Sequence, residues 1–201
     1  MPEFLEVLQT RRSIRRYKSQ SIPKELILEI LDLCRYAANA HNAQPFRFII
    51  LLNEALKNEL IKSMASRYET DLRNDGLPEP NIQKIIANST DQFLKAPVLI
   101  IACLIMDDMH QYPDPQRQYS ELLMGVQSVA NSIQNLLLVA HSKGLGACWF
   151  CAPLFCPDLV KSILNLPTSY IPQAFITLGI PDEMPSPIKR KQLEDLIHII
   201  E

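Results

Sequence analysis

The segment Arg11-Arg12-Ser13-Ile14-Arg15-Arg16-Tyr17 puts four guanidinium groups within six positions, between two apolar helical patterns. Like charges this close repel one another unless a solvated surface spreads them or an anion holds them. In extended backbone Arg11, Ser13 and Arg15 project to one side. Two guanidinium forks and a hydroxyl on one side suit the oxygens of a phosphate. A second cluster, Asn39, His41, Asn42 and Gln44, sets amides and an imidazole between an apolar helix and an apolar strand. Such groups near a core need partners, and the edge of a heteroaromatic ligand would supply them. Cys148-Trp149-Phe150-Cys151 has the spacing of a redox dithiol. It continues an apolar strand instead of opening a helix, however, and alternation sets the thiols on opposite faces, which fits buried structural cysteine. The four histidines, His41, His110, His141 and His198, lie far apart with no partner one helical turn away, so their spacing predicts no metal site. Gly144-Leu145-Gly146 follows a helix and precedes a strand, the reverse of a dinucleotide-binding turn, and no P-loop is present.

The elements that must position these groups follow from apolar spacing. Phe4, Val7 and Leu8 mark a short helix, and Pro23 opens a second that runs through Leu26, Ile27, Ile30, Leu31 and Cys34 until the pattern fails at Asn39. Residues 46–52 read as a buried strand. A third helix carries Leu56, Leu60, Ile61, Met64, Tyr68 and Leu72 and stops at Asn74-Asp75-Gly76; a fourth lies between Pro80 and Lys95. Residues 97–105 form a second strand. Met106 to Gln118, with Tyr112-Pro113-Asp114-Pro115, is expected to be a long loop. It carries Tyr112, able to stack on a planar ring, and Arg117, able to pair with an acidic substituent, so with the turn 74–80 it is expected to shape a substrate entrance. The strongest helix, about Ser120 to Ser142, has a seam of Leu122, Val126, Val129, Ile133, Leu136 and Ala140 suited to a core or to a dimer interface. A strand at 146–151, a helix at 157–166, a strand at 173–180, a proline-rich arm to Arg190 and a last apolar segment, 193–200, complete the chain. That last segment need not dock on its own subunit.

With 201 residues, 47% of them hydrophobic, and no internal repeat or linker, one domain over 1–201 is expected. Twenty basic against twenty-two acidic residues leave no field for a polyanion, which argues against nucleic acid as the main partner. The longest apolar runs fall short of the roughly 18–20 residues that cross a bilayer, so no membrane span is expected. The start Met1-Pro2-Glu3 lacks a secretory signal, and five cysteines are too few for a disulfide framework, so a cytoplasmic protein is expected.

Four blocks, in order, resemble the landmarks of the nitroreductase family: Arg11-Arg12-Ser13-Ile14-Arg15, Ala38 to Phe46, Gly144-Leu145-Gly146-Ala147-Cys148-Trp149, and Leu178-Gly179-Ile180-Pro181 with Arg190. A closer likeness, in Asp71-Leu72, Asp75-Gly76-Leu77, Tyr112-Pro113-Asp114 and Cys148-Trp149, is to the flavin-binding domain fused to the glutamyl ligase of deazaflavin-coenzyme biosynthesis. The resemblance implies an α+β fold, a mixed β-sheet flanked by helices, built as an intertwined homodimer with two flavin mononucleotide (FMN) sites at the interface. It implies that Arg11, Ser13 and Arg15 contact the flavin phosphate, ribityl chain and pyrimidine edge, that Arg12 lies nearby and that Arg190 completes the phosphate cradle. Asn39 and Asn42 of the partner subunit would reach the flavin, and Trp149, Phe150 and Cys151 would pass the ring. Arg67, on the third helix, is a weaker candidate for the pyrimidine edge. The chain departs from the family at Ala38-Asn39 and Phe46, where Pro-Ser and Trp are common, so the ring-side contacts differ. The implied activity is ping-pong hydride transfer from NAD(P)H or a reduced deazaflavin to a nitroaromatic, quinone or conjugated small molecule, with no side chain serving as catalytic acid or base. The alternative is a flavin- or deazaflavin-binding accessory module without turnover.

Overall fold

The structure is a computed structural model that describes residues 3–201; Met1 and Pro2, part of the start considered above, lie outside the described residues. Four strands form one sheet in the order β1-β2-β4-β3, with β1 Phe46–Leu51, β2 Val98–Leu104, β3 Gly146–Phe150 and β4 Ile171–Gly179. All three pairings are antiparallel, and β2 and β4 slip register at Ala102/Cys103. The parallel component of the expected mixed sheet is reduced to a single bridge, Ser13 to Ala147. The central strands β2 and β4 are buried nearly throughout, as continuous apolar runs covered on both faces must be.

Among the described residues there are six α-helices, α1 Phe4–Thr10, α2 Lys24–Cys34, α3 Glu54–Asn74, α4 Glu79–Leu94, α5 Pro115–Ser142 and α6 Pro157–Leu164; α1 packs on α5 and the other five cover the sheet. On one face α2 and α5 pack Ile27, Ile30, Ile133 and Leu136 against Ile100, Ala102, Ala174 and Ile176. On the other, α3, α4 and α6 bring Leu60, Ile61, Phe93 and Val160 against Leu99, Ile101 and Phe175. Their starts are chemically marked. Asn53 accepts a hydrogen bond from the Leu56 N–H at 3.1 Å, and Asp114 accepts one from the Arg117 N–H at 2.9 Å.

Two element boundaries differ from the sequence expectation for local reasons. The second helix ends at Cys34 and leaves 35–39 as a turn. The long helix starts five residues early, at Pro115, because Asp114 as N-cap and proline in the first turn make a helix start out of what reads as a loop. The loop therefore spans 106–114, and Arg117 sits in the first turn of α5. By length and mean hydropathy, 1.3 over its most apolar 18 residues, α5 is long and apolar enough to cross a membrane. It is instead built into the core through Val129, Ile133, Leu136 and Ala140, so most of the expected seam is intramolecular. A neighbouring stripe of Tyr119, Leu123 and Val126 stays exposed.

Candidate functional site

The arginine segment lies as a strap across the end of the sheet. The Ile14 N–H donates to the Ala147 carbonyl at 3.0 Å, the Lys18 N–H to the Ile180 carbonyl at 2.9 Å, and the Asp182 N–H to the Arg16 carbonyl at 3.0 Å. Ile14 and Tyr17 turn inward and are buried. Two glycines make room for them. A Cβ on Gly146 would sit 2.7 Å from that of Ile14, and one on Gly179 would sit 2.5 Å from the Tyr17 ring. The Tyr17 hydroxyl bonds with the Ile14 carbonyl and, at 2.7 Å, with Thr177 Oγ1, so its burial is satisfied. Glu183 clamps the middle of the strap by accepting from the Arg15 N–H at 2.6 Å and the Arg16 N–H at 3.2 Å.

With the inward positions taken, Arg11, Ser13 and Arg15 gather around Cys148 on β3. Burial pushes the Cys148 thiol up, while Arg15, a hydrogen bond with Ser13 and Arg11 pull the other way. Burial, then the neighbouring Arg190 and Arg12, hold Arg11 below its ordinary value. Like charges thus converge as the arm brings Arg190 back to the strap. Among the described residues no carboxylate forms an ion pair with Arg11, Arg12, Arg15 or Arg190. Glu183, the acid at hand, is turned to backbone N–H groups. Beside this cluster Ser13, Arg15, Tyr17 and Glu183 face Asn88 and Gln92 of α4 across a groove of about 650 Å³.

The other expected residues divide. Arg12 turns its guanidinium back onto the end of α1, donating to the Gln9 and Arg11 carbonyls at 2.8 and 2.9 Å, so its hydrogen bonds serve the helix terminus. Phe150 packs edge-on to Phe93 with the Arg15 guanidinium 6.0 Å from its ring centre. Trp149 points to the opposite face and buries an indole N–H that has no partner among the described residues. Cys148 is buried and Cys151 exposed, both as free thiols, so the expectation of buried structural cysteine holds for Cys148 alone: β3 ends at Phe150 and leaves Cys151 outside the strand. Arg67 faces Asp71 at 3.6 Å and borders a separate cavity of about 390 Å³ with Tyr68, Phe93 and Phe155.

The amide cluster lies along α5: the Ala40 N–H donates to Ser128 Oγ at 3.0 Å and the Asn131 side chain to the Ala38 carbonyl at 3.0 Å, so Asn39 sits beside the middle of the helix and His41 nearer its start. Asn39 spends its side chain on its own turn, donating to the Ala37 carbonyl at 3.0 Å and accepting from the Gln44 N–H at 2.8 Å. Asn42 is exposed, in left-handed backbone at φ 52°. His41 reaches Glu121 near the start of α5, whereas His141 beside the arginines lies near its end. Twenty residues of helix separate them, about 30 Å. The expected substrate pair is also differently placed: Arg117 is paired with its cap Asp114 and lies over the Tyr112 ring at 4.8 Å. Arg73, bonded to Glu69 and Glu79, staples the turn 74–80. Sequence reasoning missed Glu183, Thr177, Glu121 and His110. It also expected the histidines to stay apart, yet His41 and His110 stack at 3.9 Å, brought together by the loop that follows β2.

The model of the Nitroreductase family matches residues 8–180. The chain belongs to the nitroreductase family. It is accordingly an oxidoreductase. A Methanothermobacter thermautotrophicus protein provisionally named NADH dehydrogenase/NAD(P)H nitroreductase is 32% identical over 187 residues, 91% of this chain and 80% of the relative. A Bacillus subtilis protein provisionally named NAD(P)H nitroreductase is 26% identical over 94% of this chain and 90% of its own length. The fold resembles that of a BluB-like flavoprotein from Clostridium difficile, with a TM-score of 0.82 at 24% identity and full coverage of both chains. It also resembles a provisionally assigned nitroreductase from Desulfovibrio desulfuricans solved in complex with FMN, with a TM-score of 0.75 at 22% identity over 100% of this chain and 98% of that one. In this nitroreductase residues 4–7, ahead of the matched region, form the first half of α1, and those after it form the arm that returns Arg190 to the strap.

Proposed function

We propose that residues 1–201 act as one FMN-dependent oxidoreductase unit that moves reducing equivalents from a nicotinamide, or a reduced deazaflavin, to a nitroaromatic, quinone or conjugated small molecule. The observation that carries this reading is the convergence of Arg11, on a backbone-bonded strap, with Arg190 of the arm, neither having a carboxylate partner among the described residues. That donor set fits a phosphate dianion. FMN, when bound, supplies the two-electron chemistry.

Arg11, Ser13 and Arg190 would hold the phosphate and ribityl chain. Arg15, exposed beside Phe150, would place positive charge at the pyrimidine edge and favour the more electron-rich state there. Phe150 and Cys151, where β3 ends, would offer backbone N–H groups to the ring, and Trp149 would stiffen that strand end from the core side. Asn39 and Asn42 would serve the site of a partner subunit in a homodimer, as the family resemblance implies. The exposed stripe Tyr119, Leu123 and Val126 on α5 and the exposed apolar residues of α1 and the arm are the surfaces such a dimer would cover.

Replacing Arg11 and Arg15 together with alanine tests the reading. Each charge-assisted bond is worth about 1.5–3 kcal/mol, so the double variant should purify colourless with an unchanged circular dichroism spectrum. Normal flavin absorbance in it would refute the site. Stopped-flow reduction of the wild-type protein by NADH, NADPH and reduced deazaflavin identifies the donor, and failure of all three would leave the accessory-module alternative standing.

A further inference from the structure

We propose that His41, His110 and Glu121 form a binding site for a divalent transition-metal ion, with zinc the ion that best suits the ligand set. One nitrogen from each imidazole and one carboxylate oxygen lie within 4.8 Å of one another. His41 Nε2 is 3.2 Å from Glu121 Oε1. The rings of His41 and His110 stack with centroids 3.9 Å apart and planes 20° apart, which sets the two imidazoles side by side next to Glu121.

Glu121 supplies the independent observation. It is only 1% exposed, and its second oxygen, Oε2, is buried with no hydrogen-bond partner among the described residues. A buried carboxylate oxygen left unpaired is costly, and a cation drawn in beside it removes that cost. The three ligands come from elements held by other bonds. The Ala40 N–H donates to Ser128 Oγ at 3.0 Å and ties the turn of His41 to α5, while Tyr112 packs edge-on against His110. Two imidazoles and one carboxylate leave a fourth tetrahedral position for water, the pattern of zinc sites with an open coordination position. Ligand bonds of about 2.0–2.1 Å need donor atoms roughly 3.4 Å apart. Metal binding would turn the exposed His110 side chain out of its stack on His41, so that the two nitrogens converge on the ion. This site lies about 30 Å along α5 from the arginine cluster of the same chain, and it stands or falls independently of the flavin reading.

The test uses the full-length protein after chelator treatment and desalting, titrated with cobalt(II) chloride. One equivalent per chain should produce a ligand-field band beyond the flavin absorption, zinc should abolish it, and elemental analysis should find one zinc per chain after incubation and desalting. His110→Ala, at an exposed position that leaves the His41–Glu121 pair intact, should weaken binding by more than about 100-fold, beyond the loss typical of an outer-shell change. His198→Ala, in the exposed arm, should leave it unchanged. Glu121→Gln, its fold checked by thermal melting, should abolish the band. Absence of the band in the wild type, or equal titrations in wild type and His110→Ala, would overturn the proposal.

Discussion

The two ends of α5 carry opposite chemistry by opposite means. At its C-terminal end guanidinium groups crowd onto a strap whose main chain is bonded to β3, to Ile180 just after β4 and to Glu183, while Arg11 and Arg15 have no carboxylate partner among the described residues. At its N-terminal end a buried carboxylate meets two imidazoles on a turn with three residues in left-handed backbone, His41, Asn42 and Gln44. On the readings proposed above, one end would receive an anion and the other a cation. The first is mostly local in sequence, residues 11–15 joined by Arg190, whereas the second joins groups from positions 41, 110 and 121 that only the fold brings together.

The sharpest way to break this comparison is to ask whether the ends meet in an assembly. Exchanging Leu123 and Val126 for glutamate in the exposed stripe of α5 should convert a dimer into a species near the chain mass of 22.9 kDa by light scattering, with loss of flavin. Retention of a flavin-loaded dimer would mean that the stripe is not the contact.

A smaller effect separates the strap from the charges it carries. Gly179→Ala drives a methyl into the Tyr17 ring and should cost about 1–3 kcal/mol, the usual range for overpacking. It should lower flavin occupancy although no arginine has changed. An unaltered melting temperature would show that the strap can shift without strain.

The smallest effect concerns His141, which bonds Thr10 at 2.8 Å. Burial, then Arg11 and Arg12, hold its imidazole below the ordinary value. On acidification the unfolded chain therefore takes up this proton first. The contribution to stability is complete above the unfolded value of about 6.5 and declines as pH falls from there toward the lower folded value. His141→Gln should flatten the fall in melting temperature over that range. Phosphate or FMN bound between the arginines should raise the His141 pKa, measured by NMR titration. A bound anion that leaves it unmoved would place the anion elsewhere.

Legibility in the sequence followed locality. The helices and strands were readable because apolar spacing is a property of neighbouring residues, and the strap was readable because Arg11, Ser13 and Arg15 alternate with Ile14. The start of α5 is hard to read because prolines at 113 and 115 suggest a break, while the cap at Asp114 makes the second of them a first-turn residue. The charge of Arg12 does not tell that its hydrogen bonds go to carbonyls at the end of α1. The histidine pair was invisible because sequence distance says nothing of what a loop returning from β2 lays over α5. Glu121 sits on a helix face that composition alone marks as solvated, and it is nonetheless buried.

Because Ile14 and Tyr17 seat the strap through two glycine notches while main-chain bonds set its register, the outward positions 11, 13 and 15 are released from any duty to hold the sheet together. They behave as interchangeable pins in a fixed socket. Descent with modification can exchange them for residues that grip a different phosphorylated or acidic partner without repaying the change in lost folding, whereas drift at Gly146 or Gly179 would unseat every pin at once.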